Sequence, residues 1–267
     1  MFQNLSQAGR VQPEERQHRI EEYLQRVEFA SLEELAREVG ASLSTVRRDL
    51  AVLEGGGGIR RTHGGARILN PRTDEFAFSA RDTHQLAEKE AIGRLCAELI
   101  LPGQSVIIDA GTTAYHAARY LESKRPLIIT NSLPVANHYA SNNMVEIVVT
   151  GGVVYPRLGV LVGPLAIESL TRLHADVAIM GAGGITSDGI SNSHVLLIEI
   201  QRAMMRAAQT VVFCMDHTKF GRKSMVHLCG FERVRAVVAD TNAPADLVQE
   251  LRSKGLDVLQ APLPLQA

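Results

Sequence analysis

Along the first seventy residues, apolar side chains recur at every third or fourth position. Ile20, Tyr23, Leu24 and Val27 mark a helix in a charged segment that opens at Pro13-Glu14-Glu15-Arg16. Phe29-Ala30 breaks it, and Ser31-Leu32-Glu33-Glu34 begins a second helix with the spacing of a capping box. Leu32, Leu35, Ala36 and Val39 give that helix an apolar face, and Gly40 stands where it stops. Ser42 starts a third, through Leu43, Val46, Leu50 and Leu53. Helix, glycine turn, helix is the layout of a helix-turn-helix. Gly55 to Gly58 cannot continue a helix cheaply. The basic stretch Ile59 to Ile68, with Gly64-Gly65 in its middle, suits a β-hairpin wing.

From Leu86 onward the pattern changes. Short runs rich in Val and Ile predict strands over 105–109, 126–130, 145–150, 176–180, 210–215 and 235–240. Helical spacing lies between most of them, over 88–101, 113–121, 195–208 and 244–253. Such alternation implies a mostly parallel sheet covered on both faces. The expected fold class is α/β: a winged helix-turn-helix over 1–70, a linker over 71–85 and an α/β domain over 86–267. A chain of 267 residues is about 1.8 domains long, in keeping with that division.

Composition changes this picture only when taken by region. The whole chain carries a formal charge of −1, which by itself argues against a nucleic-acid binder. Residues 1–36 hold four arginines against seven glutamates, a net −3, whereas residues 37–72 hold seven arginines against three acidic residues, a net +4. The basic surface is therefore confined to the third helix and the wing. Ser42, Ser44 and Thr45 stand in the first turn of that helix, where hydroxyls and the helix N-terminus meet phosphates or base edges. Arg47 and Arg48 follow one turn later, where a helix laid in the major groove presents its side chains to bases. Arg60, Arg61 and His63 in the wing have the reach for the backbone or the minor groove. Aromatic residues at 4% with no Trp argue against a platform on which single-stranded bases stack.

In the larger domain, polar and glycine residues gather where strands end. Asp109-Ala110-Gly111-Thr112-Thr113 follows one strand and opens a helix, a pattern that binds anions. Thr130-Asn131-Ser132, Thr150-Gly151-Gly152, Gly181-Ala182-Gly183-Gly184, and Asp216 with Lys219 follow four others. Ligands of open α/β sheets bind beyond the carboxyl ends of the strands, so these five ends converge on one expected pocket. Cys96, Cys214 and Cys229 have neither the count nor the spacing of a disulfide framework and read as buried free thiols. The nine histidines form no His-x3-His pair, so neither a metal nor a cofactor is expected. Met1 to Arg10 is polar, and no stretch reaches the ~20 apolar residues that span a bilayer, so a cytoplasmic protein without a membrane partner is expected.

The run Ser44-Thr45-Val46-Arg47-Arg48-Asp49-Leu50, followed by Ile59-Arg60-Arg61-Thr62-His63-Gly64-Gly65-Ala66, closely resembles the DNA-binding domain of the DeoR family of bacterial transcriptional regulators. "D-A-G-T-T" (109–113), "T-N-S" (130–132), "G-G" (151–152), "G-x-G-G-I" (181–185), Glu199 and "D-x-x-K-F-G" (216–221) resemble that family's C-terminal sensor domain, similar in fold to ribose-5-phosphate isomerase. The resemblance implies a regulator, usually a repressor of carbohydrate genes, that binds double-stranded operator DNA as a homo-oligomer, dimer or tetramer, under control of a phosphorylated sugar. It implies that Gly111, Thr112 and Thr113 hold the phosphate, that Asn131, Asp109 and Lys219 contact the hydroxyl or carbonyl end, and that Asp49 orients neighbouring basic residues. The effector set so implied is Asp109, Gly111, Thr112, Thr113, Asn131, Gly151, Gly152, Gly183, Glu199, Asp216 and Lys219. Two residues after Glu199 the family often has Lys, where this chain has Gln201. The alternative reading is a sugar-phosphate isomerase or deaminase, with Glu199, Asp109 and Lys219 supplying acid–base chemistry. A third is an interaction protein whose helix-turn-helix meets another protein, which leaves the arginine cluster without a task.

Overall fold

Burial of the three-to-four periodic residues shapes the N-terminal part, seen here in a computed structural model that describes residues 12–27, 29–62, 64–68 and 78–263. Helices α1 (Pro13–Val27), α2 (Leu32–Glu38) and α3 (Leu43–Gly55) enclose a core of Ile20, Leu24, Leu35, Val46 and Leu50. The Ser31 capping box is formed: its Oγ accepts from the Glu34 amide at 3.2 Å, and Glu34 Oε2 accepts from the Ser31 amide at 2.8 Å. Strands β1 (Phe29–Ser31), β2 (Ile59–Thr62) and β3 (Gly65–Ile68) form an antiparallel sheet in the order β1-β3-β2. By spacing alone Phe29-Ala30 is only a break between helices. These residues form a strand because β3 offers a free edge, and Ala30 lies opposite Ala66. That pairing needs glycine at position 65, where a Cβ would stand 2.0 Å from the Ala30 carbonyl oxygen.

The chain divides into two units, Met1–Phe76 and Ala77–Ala267. In the second, α4 (Phe78–Thr83) and α5 (Leu86–Glu98) precede the first sheet strand, β4 (Ser105–Ile108). Then come α6 (Thr112–Ala118), β5 (Leu127–Thr130), α7 (Leu133–Tyr139), β6 (Glu146–Val149), the hairpin β7 (Val153–Tyr155) and β8 (Val160–Val162), and α8 (Pro164–Thr171). The chain continues through β9 (Ala175–Met180), β10 (Gly184–Thr186), β11 (Gly189–Asn192), α9 (Val195–Ala207), β12 (Ala208–Cys214), β13 (Val226–Cys229), β14 (Ala236–Asp240), α10 (Ala245–Ser253) and β15 (Asp257–Ala261).

Seven parallel strands form the main sheet in the order β15-β14-β12-β9-β4-β5-β6. Two apolar clusters flank it, one around Ile107, Met204 and Phe213 and the other around Ile108, Ile128 and Leu121. Alternate residues of one strand thus feed opposite layers, as a doubly covered sheet requires. From β4 the chain adds strands toward β6, and from β9 it adds them toward β15. The order therefore reverses between β4 and β9, where open α/β sheets bind ligands. An antiparallel sheet, β10-β11-β13, accompanies the main one.

One correction concerns the expected linker over 71–85. Residues 71–77 lie outside the described residues, but 78–83 form α4, and α5 begins at Leu86. A six-residue helix spans under two turns, too short to show a period, and packing on α6 holds it in place.

Candidate DNA interface and effector site

In the first unit, Ser42 caps α3 by accepting from the Thr45 amide at 3.3 Å. Its hydroxyl also meets the Ser44 and Thr45 hydroxyls, each at 2.9 Å, so three oxygens cluster at the exposed start of the helix. Arg47 and Arg48 are exposed, and neither forms an ion pair among the described residues. In the wing, Arg60 stands directly opposite Arg67, and both are exposed. Like charges placed opposite one another repel unless an anion lies between them, which makes Arg67 a candidate that motif reading missed. Arg61 is already engaged. Its amide donates to Glu54 Oε1 at 2.9 Å and its Nε to Oε2 at 2.6 Å, clamping the wing to the end of α3. These bonds hold the Glu54 carboxyl below its usual range. His63 lies outside the described residues.

Asp49 departs from the role the resemblance implied. It is buried, and Arg16 of α1 grips it from Nε at 2.5 Å and from its second nitrogen at 2.9 Å, while Gln17 donates at 3.3 Å. Its side chain ties α1 to α3 and leaves Arg47 and Arg48 to solvent. The signal was present in the spacing, since Val46, Asp49, Leu50 and Leu53 share the inner face of α3.

In the second unit, the five strand ends singled out from the sequence belong to β12, β9, β4, β5 and β6, five neighbours in the sheet. All run parallel, so their carboxyl ends share one edge. At the reversal point Gly111 and Gly181 approach closely, and a Cβ on Gly111 would stand 3.4 Å from Gly181 Cα. Thr112 and Thr113 are buried there, and neither hydroxyl makes a hydrogen bond among the described residues. Asn131 is buried as well. Its Nδ2 donates to the Leu161 carbonyl at 3.0 Å, and its Oδ1 has no partner. Gly151 and Gly152 take positive φ of 69° and 121°, and a Cβ on Gly152 would meet the Val162 carbonyl oxygen at 2.7 Å. Gly183 is fixed by a similar closeness, its Cβ position lying 2.6 Å from Ser224 Oγ.

Asp109 is a knot between elements. Its Oδ1 accepts from the Ala110 amide at 2.7 Å, and its Oδ2 from the Gly181 amide at 3.1 Å and from Gln201 Nε2 at 2.7 Å. Burial pushes the carboxyl pKa up while the three donors pull against it. Gln201 also donates to the Gly181 carbonyl at 2.9 Å and accepts from Asn192 at 2.9 Å. Glu199, by contrast, is exposed and ion-paired with Arg202 at 2.9 Å, away from this knot. Two residues along a helix rotate a side chain by about 200°, so Glu199 faces outward and Gln201 inward.

The charges at this edge do not balance. Asp216 caps the turn His217–Lys219, accepting from the Thr218 amide at 3.0 Å. Lys219 has no hydrogen-bonded partner among the described residues; burial pushes its ammonium pKa down, with Asp216 opposing. Lys89 is buried and donates to the carbonyls of Arg81 and His84, and burial lowers its pKa too. Arg81, Lys89, Lys219 and Arg222 thus stand near Asp82, Asp109 and Asp216, of which Asp109 is pushed toward its neutral form. The arrangement is suited to an anion.

A winged helix-turn-helix with outward-facing arginines, joined to an α/β unit with a cationic strand-end site, defines a DNA-binding regulator. The chain belongs to the DeoR family of transcriptional regulators: residues 16–72 match the DeoR-like helix-turn-helix domain and residues 84–241 the DeoR C terminal sensor domain. It is 31% identical over 248 residues to the HTH-type transcriptional regulator GolR of Listeria innocua, covering 92% of this chain and 98% of that one. It is 33% identical over 239 residues to the glycerol-3-phosphate regulon repressor of Escherichia coli, covering 89% and 94%. These relatives are regulators, and this chain is one too, not an enzyme. Among solved structures it is similar to ribose 5-phosphate isomerase A of Methanocaldococcus jannaschii, at 16% identity and a TM-score of 0.37 over 51% of this chain and 54% of the other.

Proposed function

We propose that this regulator represses carbohydrate-metabolism genes by binding operator DNA, and that a phosphorylated sugar or related metabolite lowers that binding. The observation that carries the reading is the gathering of cations, buried Lys89 with half-buried Arg81 and Lys219, at the edge of five adjacent strand ends, beside unpartnered Asn131 Oδ1 and the Thr112 and Thr113 hydroxyls. A phosphate answers the cations, and sugar hydroxyls answer the amide and threonine groups. Lys219, Thr112, Thr113 and Asn131 are the direct contacts in this reading. Gly111, Gly151, Gly152 and Gly183 let backbone approach the ligand, whereas Asp109 and Asp216 shape the walls.

On the DNA side, Ser42, Ser44 and Thr45 meet the backbone, Arg47 and Arg48 read base edges, and Arg60 with Arg67 holds phosphates from the wing. A homo-oligomer in the cytoplasm fits the task, because two recognition helices one DNA turn apart read a palindrome. The effector acts by binding one assembly better than another, and a useful switch needs roughly 1–3 kcal/mol of coupling. A thermal-shift screen of the full chain against phosphorylated sugars tests the site. One of them raises the melting temperature in proportion to the logarithm of its concentration if the reading holds. Stabilisation by unphosphorylated sugars alone refutes it.

A further inference from the structure

The two family matches leave residues 73–83 uncovered, and α4 lies in that gap. This helix is fastened to the effector site from several sides. The Phe78 ring meets the Tyr115 ring edge-on at 5.4 Å, and Asp82 Oδ1 meets buried His116 Nε2 at 3.0 Å, both partners lying on α6, the helix that begins with Thr112 and Thr113. Beyond its C-terminus, Lys89 reaches back to hold the Arg81 and His84 carbonyls, and Gln85 takes a left-handed φ of 51° at the corner into α5. A non-glycine residue keeps such a conformation only where its surroundings fix it.

Between these fastenings sits Arg81. Its Nε is buried with no hydrogen-bond partner. Asp109 at the end of β4 and Asp82 attract its charge, and Lys219 and Lys89 stand close enough to feel its repulsion. A buried guanidinium donor without an acceptor is costly, and the other cations make the position costlier still. An arginine kept there suits an acceptor that arrives with a ligand, and its planar fork matches the oxygens of a phosphate or carboxylate.

We infer that Arg81 is a direct effector contact, a second cationic arm beside Lys219 that closes on the anionic group of the ligand from α4, the first helix of the second unit. This rests on the reading of the strand-end edge as the effector site. It adds that the ligand is grasped by a residue outside the matched sensor domain. Ligand arrival then tightens α4 on the site, and α4 is the first described element after the wing's last strand.

The test uses the full chain and four probes: glycerol 3-phosphate, ribose 5-phosphate, fructose 1-phosphate and glucose 6-phosphate. The probe that stabilises the wild type is titrated calorimetrically into Arg81→Met, Arg81→Lys and Lys219→Ala. Arg81→Met is expected to weaken binding by about ten- to a hundredfold, the loss of a charged hydrogen-bonding partner. Arg81→Lys is expected to weaken it less, since the charge stays and the fork is lost. Without probe, Arg81→Met is expected to melt at or above the wild-type temperature, because an unpaired buried cation has been removed. A merely structural Arg81 gives the opposite pair of results, a lower melting temperature with unchanged affinity, and overturns the inference. If Lys219→Ala loses binding while both Arg81 variants keep it, the strand-end reading stands and the role of Arg81 falls. If no probe stabilises the wild type, the strand-end reading fails and takes the inference with it.

Discussion

Arg16 and Asp49 show how one side chain's neighbours decide its task. Buried and gripped in two places, Asp49 joins α1 to α3, and truncating it leaves a poorly solvated guanidinium behind. Asp49→Ala is expected to cost on the order of 3 kcal/mol of stability in the DNA-reading unit, measured by denaturant unfolding. Arg47→Ala and Arg48→Ala touch only exposed groups. Each is expected to keep the melting temperature and to lose about 1–3 kcal/mol of operator binding. Unchanged operator affinity in both would remove α3 from the major groove. Gln201 works as Asp49 does, through what it holds. Gln201→Leu takes one of three donors from Asp109, which is expected to cost roughly 1–3 kcal/mol. It also raises the Asp109 carboxyl pKa further. A folded pKa above the unfolded value means stability is complete below the ordinary carboxylate range and lost as pH rises through the folded pKa. Denaturant unfolding across a pH series should therefore show this variant's deficit growing as pH rises through the wild-type folded pKa of Asp109.

At the scale of elements, periodic spacing revealed the long helices and the strands buried on both faces. It missed whatever tertiary contact makes. β1 exists because β3 needs a partner edge, and its three residues carry no alternation. Gly65→Ala is expected to cost at least about 2 kcal/mol through overpacking against the Ala30 carbonyl, and to free the wing. Likewise α4 is too short to announce itself, and the hairpin β7–β8 and the sheet β10-β11-β13 are short strands that read as loop. That the five strand ends share one sheet edge was legible, because glycine and polar residues follow each Val/Ile run. What those residues bond to was not. Glu199 and Gln201 differ by two positions on one helix, and only packing shows which faces Asp109. The docking of α4 also has a pH signature. Burial lowers the His116 pKa, so the unfolded chain binds the proton more tightly than the folded one. Its contribution is complete above about pH 6.5 and lost as pH falls below it. Melting of His116→Gln is expected to depend less on pH than the wild type between pH 5 and 7.

For the whole molecule, the near-zero net charge conceals a division of labour. A +4 segment holds α3 and the wing and a −3 segment precedes it, while the larger unit gathers Arg81, Lys89 and Lys219 at one sheet edge. No helix among the described residues is long and apolar enough to cross a membrane. In the proposed function a phosphorylated sugar, bound at that edge, controls what α3 and the wing do. That control is tested most directly by fluorescence anisotropy of a labelled duplex, selected from random DNA by the protein itself. Affinity for the duplex should fall steeply with salt, as phosphate contacts require. A phosphorylated sugar should release the wild type at concentrations that leave Lys219→Ala bound. Release of both proteins at the same concentration, or of neither by any phosphorylated sugar, would contradict the account.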